Sequence, residues 1–180
     1  MGLEYCKILG YGGRLDSRDS GITLGRVAIV KIAFSLKIGE YKHSVLVGKP
    51  CIIENGFIVA MDRLCFYANE FGLKLYINSS YRNSTAVSGA IVTPATLSNH
   101  LIGHAIDANI VEGNIFWNSK KLEKGLTGNV LKFIDTIRKD TILRWGGDFP
   151  VTDVVHFDDG LNVRDHAKWL ELYNELQSKA

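Results

Sequence analysis

Residues 98–107 read SNHLIGHAID, and the spacing of the polar residues in this segment constrains the local backbone. It contains three residues with metal-binding side chains, and two of them, His100 and Asp107, are seven positions apart. On one helix these residues would share a face but lie about 10 Å apart along the axis, too far to reach one ion. Gly103 lies between them and is free to adopt turn conformations. The spacing therefore predicts a loop that turns at Gly103 and continues as a strand presenting Asp107.

The following residues, 105–110, alternate in the way a strand does. Ala105, Asp107 and Asn109 would lie on one face, and the intervening apolar residues on the other. Elsewhere, apolar spacing predicts helices at about 57–71, 128–139 and 165–178, and strands at 73–77, 142–145 and 154–157. Because the helices and strands do not alternate as βαβ units, the sequence predicts an α+β fold with a small antiparallel sheet flanked by helices.

The composition excludes several classes of protein. The chain has 180 residues, 46% of them hydrophobic, and a formal net charge of +2. It has no run of more than two Lys or Arg residues, so we expect no nucleic-acid partner. No apolar stretch approaches the roughly 20 residues of a membrane-spanning helix, so we expect no membrane insertion. Cys6, Cys51 and Cys65 are too widely separated for a C-x-x-C pair, which favours free thiols in a reducing compartment.

The first residues lack the basic and apolar regions of a signal peptide, which predicts synthesis in the cytoplasm without a secretion signal. Strand-like segments in residues 22–53 are separated by glycines. We therefore divide the chain into an N-terminal extension or set of accessory strands at 1–53, with a possible docking role, and a catalytic domain at 54–180.

A second informative block, residues 145–158, reads WGGDFPVTDVVHFD. Its His156, with His100 and Asp107, makes a competent ligand set for Zn²⁺. A lone histidine on an apolar strand is more often a core residue, and the His100–Asp107 spacing also arises by chance. The combination, with Asp153 three residues before His156, favours a metal site.

These blocks resemble the zinc D-alanyl-D-alanine carboxypeptidase and L-alanyl-D-glutamate endopeptidase family. The resemblance covers about residues 57–160 and includes SSYR at 79–82. Members cut peptidoglycan stem peptides on the fold shared with the N-terminal hedgehog domain. The resemblance implies that Zn²⁺ is the cofactor, with His100, Asp107 and His156 as its ligands. It also implies that Asp153 is the catalytic carboxylate.

Arg82 closes the SSYR block. The resemblance implies that it is catalytic and substrate-binding, holding the substrate or its oxyanion; the alternative is a surface arginine in a loop.

The chemistry of the residues agrees with these roles. A carboxylate beside an activated water can take its proton and return it to the leaving amine. Residues three apart on a straight strand point to opposite faces. We therefore expect a bend between Asp153 and His156, with residues 151–152 at its mouth.

Four further residues have two interpretations each. Ser98 would contact substrate or form a turn, and Trp145 would line the substrate cleft or lie buried beside the Gly-Gly turn. Asp148 would orient a ligand histidine from behind or occupy a turn. His104 would lie at the rim of the site or be a metal ligand; the rim is favoured because the zincin pattern would need a helix and a following Glu. Residues 158–159, before Gly160, are predicted to form a turn.

The sequence departs from the family pattern in three places. No Gln follows Arg82 within residues 83–88, Val155 stands where Pro often precedes the histidine, and Phe149 replaces a second Trp. None of these changes removes a ligand, so they concern specificity. Residues 83–98 are expected to be a loop that shapes the pocket.

The leading hypothesis is a zinc peptidase acting on bacterial peptidoglycan peptide, with endopeptidase and carboxypeptidase specificities both open. Such an enzyme would act on the cell wall after release as a phage endolysin or delivery by an injection machine. The alternatives are a non-catalytic zinc-containing hedgehog-like binding module and a metal-free scaffold.

Overall fold

The computed structural model describes residues 38–84 and 97–177, in which helices pack against a largely antiparallel sheet. The predicted α+β class is confirmed. The strands are β1 Ile38–Tyr41, β2 Leu46–Gly48, β3 Cys51–Glu54, β4 Leu73–Ser79, β5 Ala105–Glu112, β6 Ile115–Trp117, β7 Arg144–Trp145 and β8 His156–Asp158. The helices are α1 Ile58–Glu70, α2 Ser119–Lys124, α3 Gly128–Lys139, α4 Leu161–Arg164 and α5 His166–Gln177.

The main sheet has six strands, with the order β2-β4-β5-β8-β7 and with β6 paired to β5. All its pairs are antiparallel except β2 with β4. Strand β5 is central. It pairs with β4 along one edge, and along its other edge it pairs with β8 near its start and with β6 near its end. This arrangement places the start of β5, which carries Asp107, between two neighbouring strands.

Helices α1 and α3 cover one face of the sheet. Apolar residues recur at helical spacing in both, so each helix buries one apolar stripe. The buried stripe of α3 consists of Val130, Phe133, Ile134 and Ile137, and that of α1 includes Leu64, Cys65 and Ala68. These side chains join the alternating apolar residues of β4 and β5, Leu75, Ile77, Ile106, Ala108 and Ile110, in one core cluster.

A second apolar cluster holds the segment before β5. Leu101 and Ile102, in a 3₁₀ turn at Asn99–Ile102, pack with Trp169 and Leu172 of α5. Trp169 is 1% exposed. The turn that carries His100 is therefore held by buried contacts and belongs to the rigid part of the molecule.

The sequence prediction located the main helices within a residue or two, but it missed strand β6 and helix α2. The predicted last helix at 165–178 corresponds to α5, whereas the short helix α4 before it was not predicted. Residue 178 lies outside the described residues. The predicted loop at 83–98 is described only at its ends, because residues 85–96 also lie outside.

The strands of residues 38–54 contribute to the same packing as the rest. Strand β2 pairs with β4, and Cys51 and Ile53 lie in the main core. Cys51 and Cys65 are buried free thiols. A docking role for residues 1–53 stays a prediction, and residues 1–37, including Cys6, are outside the described part. Among the described helices none has both the length and the apolar character needed to cross a membrane.

Candidate metal centre

Three predicted ligands, His100, Asp107 and His156, meet at one point. Asp107 Oδ1 lies 3.1 Å from His100 Nε2 and 3.1 Å from His156 Nδ1, and the two ring nitrogens are 3.2 Å apart. In a tetrahedral zinc site with bonds of about 2.0–2.2 Å, ligand atoms lie roughly 3.4 Å apart. The triangle is therefore the size of one face of such a site, leaving a fourth position for water or substrate.

The strand register brings two of these ligands together. Asp107 of β5 is directly opposite His156 of β8 in the antiparallel pair. Side chains opposite one another in such a pair point to the same face of the sheet, with Cβ atoms about 5 Å apart. One carboxylate and one imidazole consequently share a site although 49 residues separate them in the chain.

The third ligand arrives from the turn before β5. Ser98 accepts a hydrogen bond from the His100 backbone N–H and begins the 3₁₀ turn, and Gly103 ends it in a left-handed conformation with φ of 72°. A Cβ at Gly103 would come within 2.6 Å of the Glu54 backbone nitrogen, so the position requires glycine on two counts. The prediction of a loop turning at Gly103 and continuing as a strand is confirmed.

The donor set fits a cation. His100 Nδ1 lies 2.7 Å from the Ser80 carbonyl oxygen, which only accepts, so this nitrogen carries the proton. His156 Nε2 faces the Asp158 carboxylate at 3.3 Å and carries its proton for the same reason. The other nitrogen of each neutral ring then points a lone pair at Asp107. Three acceptors this close repel one another unless a positive charge lies between them.

The same negative environment attracts a proton when no metal is bound. Burial lowers the pKa of His156, but the carboxylates of Asp107 and Asp158 outweigh burial and raise it to about 9. A metal ion must therefore displace a proton from this cluster, as is usual for imidazole sites.

Asp153 lies in the predicted bend. The His156 backbone N–H donates to the Asp153 carbonyl at 3.0 Å, and the Asp153 N–H donates to Gly146 at 2.9 Å. The turn passes so close to Gly146 that a Cβ there would collide with the Asp153 carbonyl oxygen and lie 2.8 Å from the His156 Cβ. Gly146 is thus required by close approach, and the bend between Asp153 and His156 is confirmed.

The environment of Asp153 suits a general base. Burial raises the pKa of its carboxyl group, and the nearby negative charge of Asp107 raises it further. A raised pKa strengthens a carboxylate as a proton acceptor.

Arg82 and Ser98 lie beside the ligands and contact each other. Arg82 Nη2 donates to Ser98 Oγ at 3.1 Å, and the Arg82 backbone N–H donates to the His100 carbonyl at 3.1 Å. Burial lowers the pKa of Arg82, while the charge of Asp107 opposes that shift. Its Nε is buried, and within residues 38–84 and 97–177 nothing accepts from it.

Two predicted roles are corrected by the structure. Asp148 does not orient a ligand histidine: its exposed carboxylate binds Arg138 of α3, with Nη2 to Oδ1 at 2.8 Å. Trp145 is 6% exposed and does not line a cleft. Its indole N–H donates to the Val154 carbonyl at 2.8 Å, so it supports the turn that precedes His156 from beneath.

Sequence reasoning assigned residues 158–159 to a turn and missed their buried contacts. Asp158 is the last residue of β8 and contacts ligand His156. Strand alternation places residues two apart on the same face, and that signal would have identified it. Asp159 instead binds His104 Nδ1 at 2.8 Å, and Glu54 faces His104 Nε2 at 3.2 Å. His104 is therefore a buried residue between two carboxylates, not a rim residue.

Comparison with known proteins agrees with this site. Residues 92–159 match the family described as D-alanyl-D-alanine carboxypeptidase. The matched span includes His100, Asp107, Asp153 and His156, whereas Arg82 precedes it. No curated protein matches the chain. The match confirms the resemblance seen in the sequence motifs and indicates a peptidase.

Proposed function

We propose that this chain, which matches the D-alanyl-D-alanine carboxypeptidase family over residues 92–159, is a zinc-dependent peptidase that hydrolyses the stem peptide of bacterial peptidoglycan. The observation that carries the proposal is the convergence of three potential ligand atoms, from His100, Asp107 and His156, within 3.2 Å of one another. Two imidazoles and one carboxylate are a ligand set typical of catalytic zinc.

His100, Asp107 and His156 would hold the ion. When bound, zinc lowers the pKa of a water molecule and polarises the scissile carbonyl. Asp153 takes the proton from the attacking water and delivers it to the leaving amine as the carbon–nitrogen bond breaks. The turn at 153–156, packed on Gly146, fixes this carboxylate relative to His156.

Arg82 supplies a positive charge on the substrate side. Its half-buried position beside His100 and its proximity to Asp107 support a role in holding a substrate carboxylate or the oxygen that becomes negative during attack. Ser98 holds the guanidinium group in place through Nη2. Both D-alanyl-D-alanine carboxypeptidase and L-alanyl-D-glutamate endopeptidase specificity are compatible with this arrangement. Delivery to the wall by a phage or an injection machine stays a prediction.

The decisive experiment is mass spectrometry of products from several purified peptidoglycan types, with Asp153→Asn as the inactive variant. We expect the zinc-loaded protein to release fragments cut at D-Ala-D-Ala or at L-Ala-D-Glu. We expect Asp153→Asn to bind zinc but to cleave about 10²–10⁴-fold more slowly, because general acid–base catalysis contributes that much. Zinc binding without cleavage of any peptidoglycan type would support the non-catalytic binding module instead. Equal rates in both proteins would exclude Asp153 as the catalytic carboxylate.

A further inference from the structure

Asp158, at the end of β8, lies behind the metal centre and connects the segments that carry both histidine ligands. We propose that Asp158 is a positioning residue for His100 and His156 together, and that Arg144 holds it in that place. The inference deepens the proposed metal site and rests on it. Its test measures zinc binding, so that its failure can be told apart from a failure of the proposed function.

The carboxylate of Asp158 is 2% exposed and faces five donors. Oδ1 accepts from Arg144 Nε at 2.7 Å and from the Gly160 N–H at 3.1 Å. Oδ2 accepts from Arg144 Nη2 at 2.7 Å, from Asn99 Nδ2 at 2.9 Å and from His156 Nε2 at 3.3 Å. The hydrogen bond to His156 fixes the ring tautomer and leaves Nδ1 free for a metal.

The link to His100 runs through its neighbour Asn99. Asn99 Nδ2 donates to Asp158 and lies 3.2 Å from Asn162 Oδ1, while Asn99 Oδ1 accepts from the Asn162 N–H at 3.1 Å. Asn99 is 1% exposed and begins the 3₁₀ turn that presents His100. Loss of the Asp158 carboxylate would therefore loosen the backbone of one ligand and the ring of the other.

Arg144 makes this buried carboxylate stable. Its guanidinium group binds both oxygens of Asp158 in a fork, a geometry that lysine cannot reproduce. Phe149 covers the pair, with its ring 4.9 Å from the Arg144 guanidinium carbon and 5.7 Å from the His156 ring.

The variant Asp158→Asn tests this role because an amide keeps only one acceptor oxygen for five donors. We expect its zinc dissociation constant, measured by competition with a chelator, to rise about 10- to 100-fold. The matched control is Asp159→Asn. It also removes a buried carboxylate, but that carboxylate binds His104, which is not one of the three proposed metal ligands. Asp159→Asn should lower the unfolding temperature but keep the zinc dissociation constant within about threefold of the wild-type value. A residue behind a metal site changes the metal affinity through the ligand that it contacts, and Asp159 contacts His104 instead.

The absorption spectrum of the cobalt-substituted protein adds a readout that general destabilisation would not change. We expect the ligand-field bands to shift in Asp158→Asn and to match wild type in Asp159→Asn. If Asp158→Asn does not fold, Arg144→Lys provides the second test, because it keeps the charge but loses the fork. We expect weaker zinc binding in Arg144→Lys as well.

Equal zinc dissociation constants for Asp158→Asn and Asp159→Asn would overturn the assignment of Asp158. If Asp158→Asn does not fold, wild-type zinc binding by Arg144→Lys would also overturn the assignment. Absence of zinc binding by the wild-type protein would instead overturn the proposed function.

Discussion

His104 shows how a single buried side chain can make stability depend on pH. Burial lowers its pKa, but Asp159 and Glu54 outweigh burial and raise the pKa above its ordinary value of 6.5. For Glu54, burial raises the pKa, but His104 and backbone N–H groups lower it below 4.5 overall. The two shifts have one origin, because each group favours the charged form of the other.

The sign of the pH effect follows from these directions. Because the folded pKa of His104 is raised, its stabilisation is complete below pH 6.5 and is lost as the pH rises through the folded value. Because the folded pKa of Glu54 is lowered, the stabilisation that Glu54 contributes is present above pH 4.5 and is lost as the pH falls through the folded pKa. The two groups together therefore stabilise the folded chain most between pH 4.5 and pH 6.5.

We predict that His104→Gln lowers the free energy of unfolding by about 3–5 kcal/mol at pH 6, as breaking a buried ion pair does. The difference from wild type should shrink as the pH is raised. Urea unfolding of the metal-free proteins at several pH values would measure it, with His43→Gln as the exposed control. A difference that stays constant across the pH range would contradict the charged state of His104.

Arg82 gives a second prediction at this scale. Arg82→Lys keeps a positive charge but loses the buried Nε donor, so we expect kcat/KM to fall about 10²-fold, as loss of one oxyanion donor does. Zinc content should not change. The control is Arg138→Lys, the same substitution at a surface ion pair with Asp148. Wild-type kinetics for Arg82→Lys would leave the guanidinium group without a role in catalysis.

Among the secondary-structure elements, the turn before β8 packs closely against Gly146. Gly146 must lack a side chain because the Asp153 carbonyl and the His156 Cβ lie against it. Gly146→Ala should cost about 1–3 kcal/mol of stability, as overpacking does. It should also weaken zinc binding and slow cleavage together, because the turn carries both Asp153 and a ligand.

The matched control for this change is Gly39→Ala in β1, where an added Cβ meets nothing within 4 Å. Thermal unfolding, zinc titration and peptide cleavage of both variants would measure the effect. Wild-type zinc affinity and activity in Gly146→Ala would show that the turn can move without disturbing the site.

The sequence predicted those elements in which the spacing of two functional residues allows only one kind of local backbone. His100 and Asp107 could meet only through a turn followed by a strand, and Asp153 and His156 only through a bend. Contacts between distant segments leave no such local pattern. The ion pair of Arg144 with Asp158 and the burial of His104 depend on strand order, which spacing does not encode. Trp145 and Asp148 were wrong as site residues because their partners, Val154 and Arg138, become apparent only in the folded chain.

At the scale of the whole molecule, the metal should contribute to folding. The three ligands come from the 3₁₀ turn, β5 and β8, so one ion would tie together segments that are far apart in the chain. A ligand present at 1,000 times its dissociation constant stabilises a protein by about 4 kcal/mol. We predict that a chelator lowers the unfolding temperature of the zinc-loaded protein.

The variant His156→Ala supplies the control for that measurement. It should contain less zinc, unfold at a lower temperature than the zinc-loaded wild type and show little further change on addition of chelator. Differential scanning calorimetry together with metal analysis would measure both effects. Full zinc occupancy in His156→Ala would contradict the ligand set.

The pairing of β5 with β8 has one more consequence. Side chains alternate between the two faces of a sheet, so a slip of one residue between these strands would turn either Asp107 or His156 away from its partner. A misaligned chain would then offer the ion only part of its coordination sphere. Metal uptake during refolding should accordingly report on correct strand alignment, and chains trapped in a wrong alignment would remain metal-free.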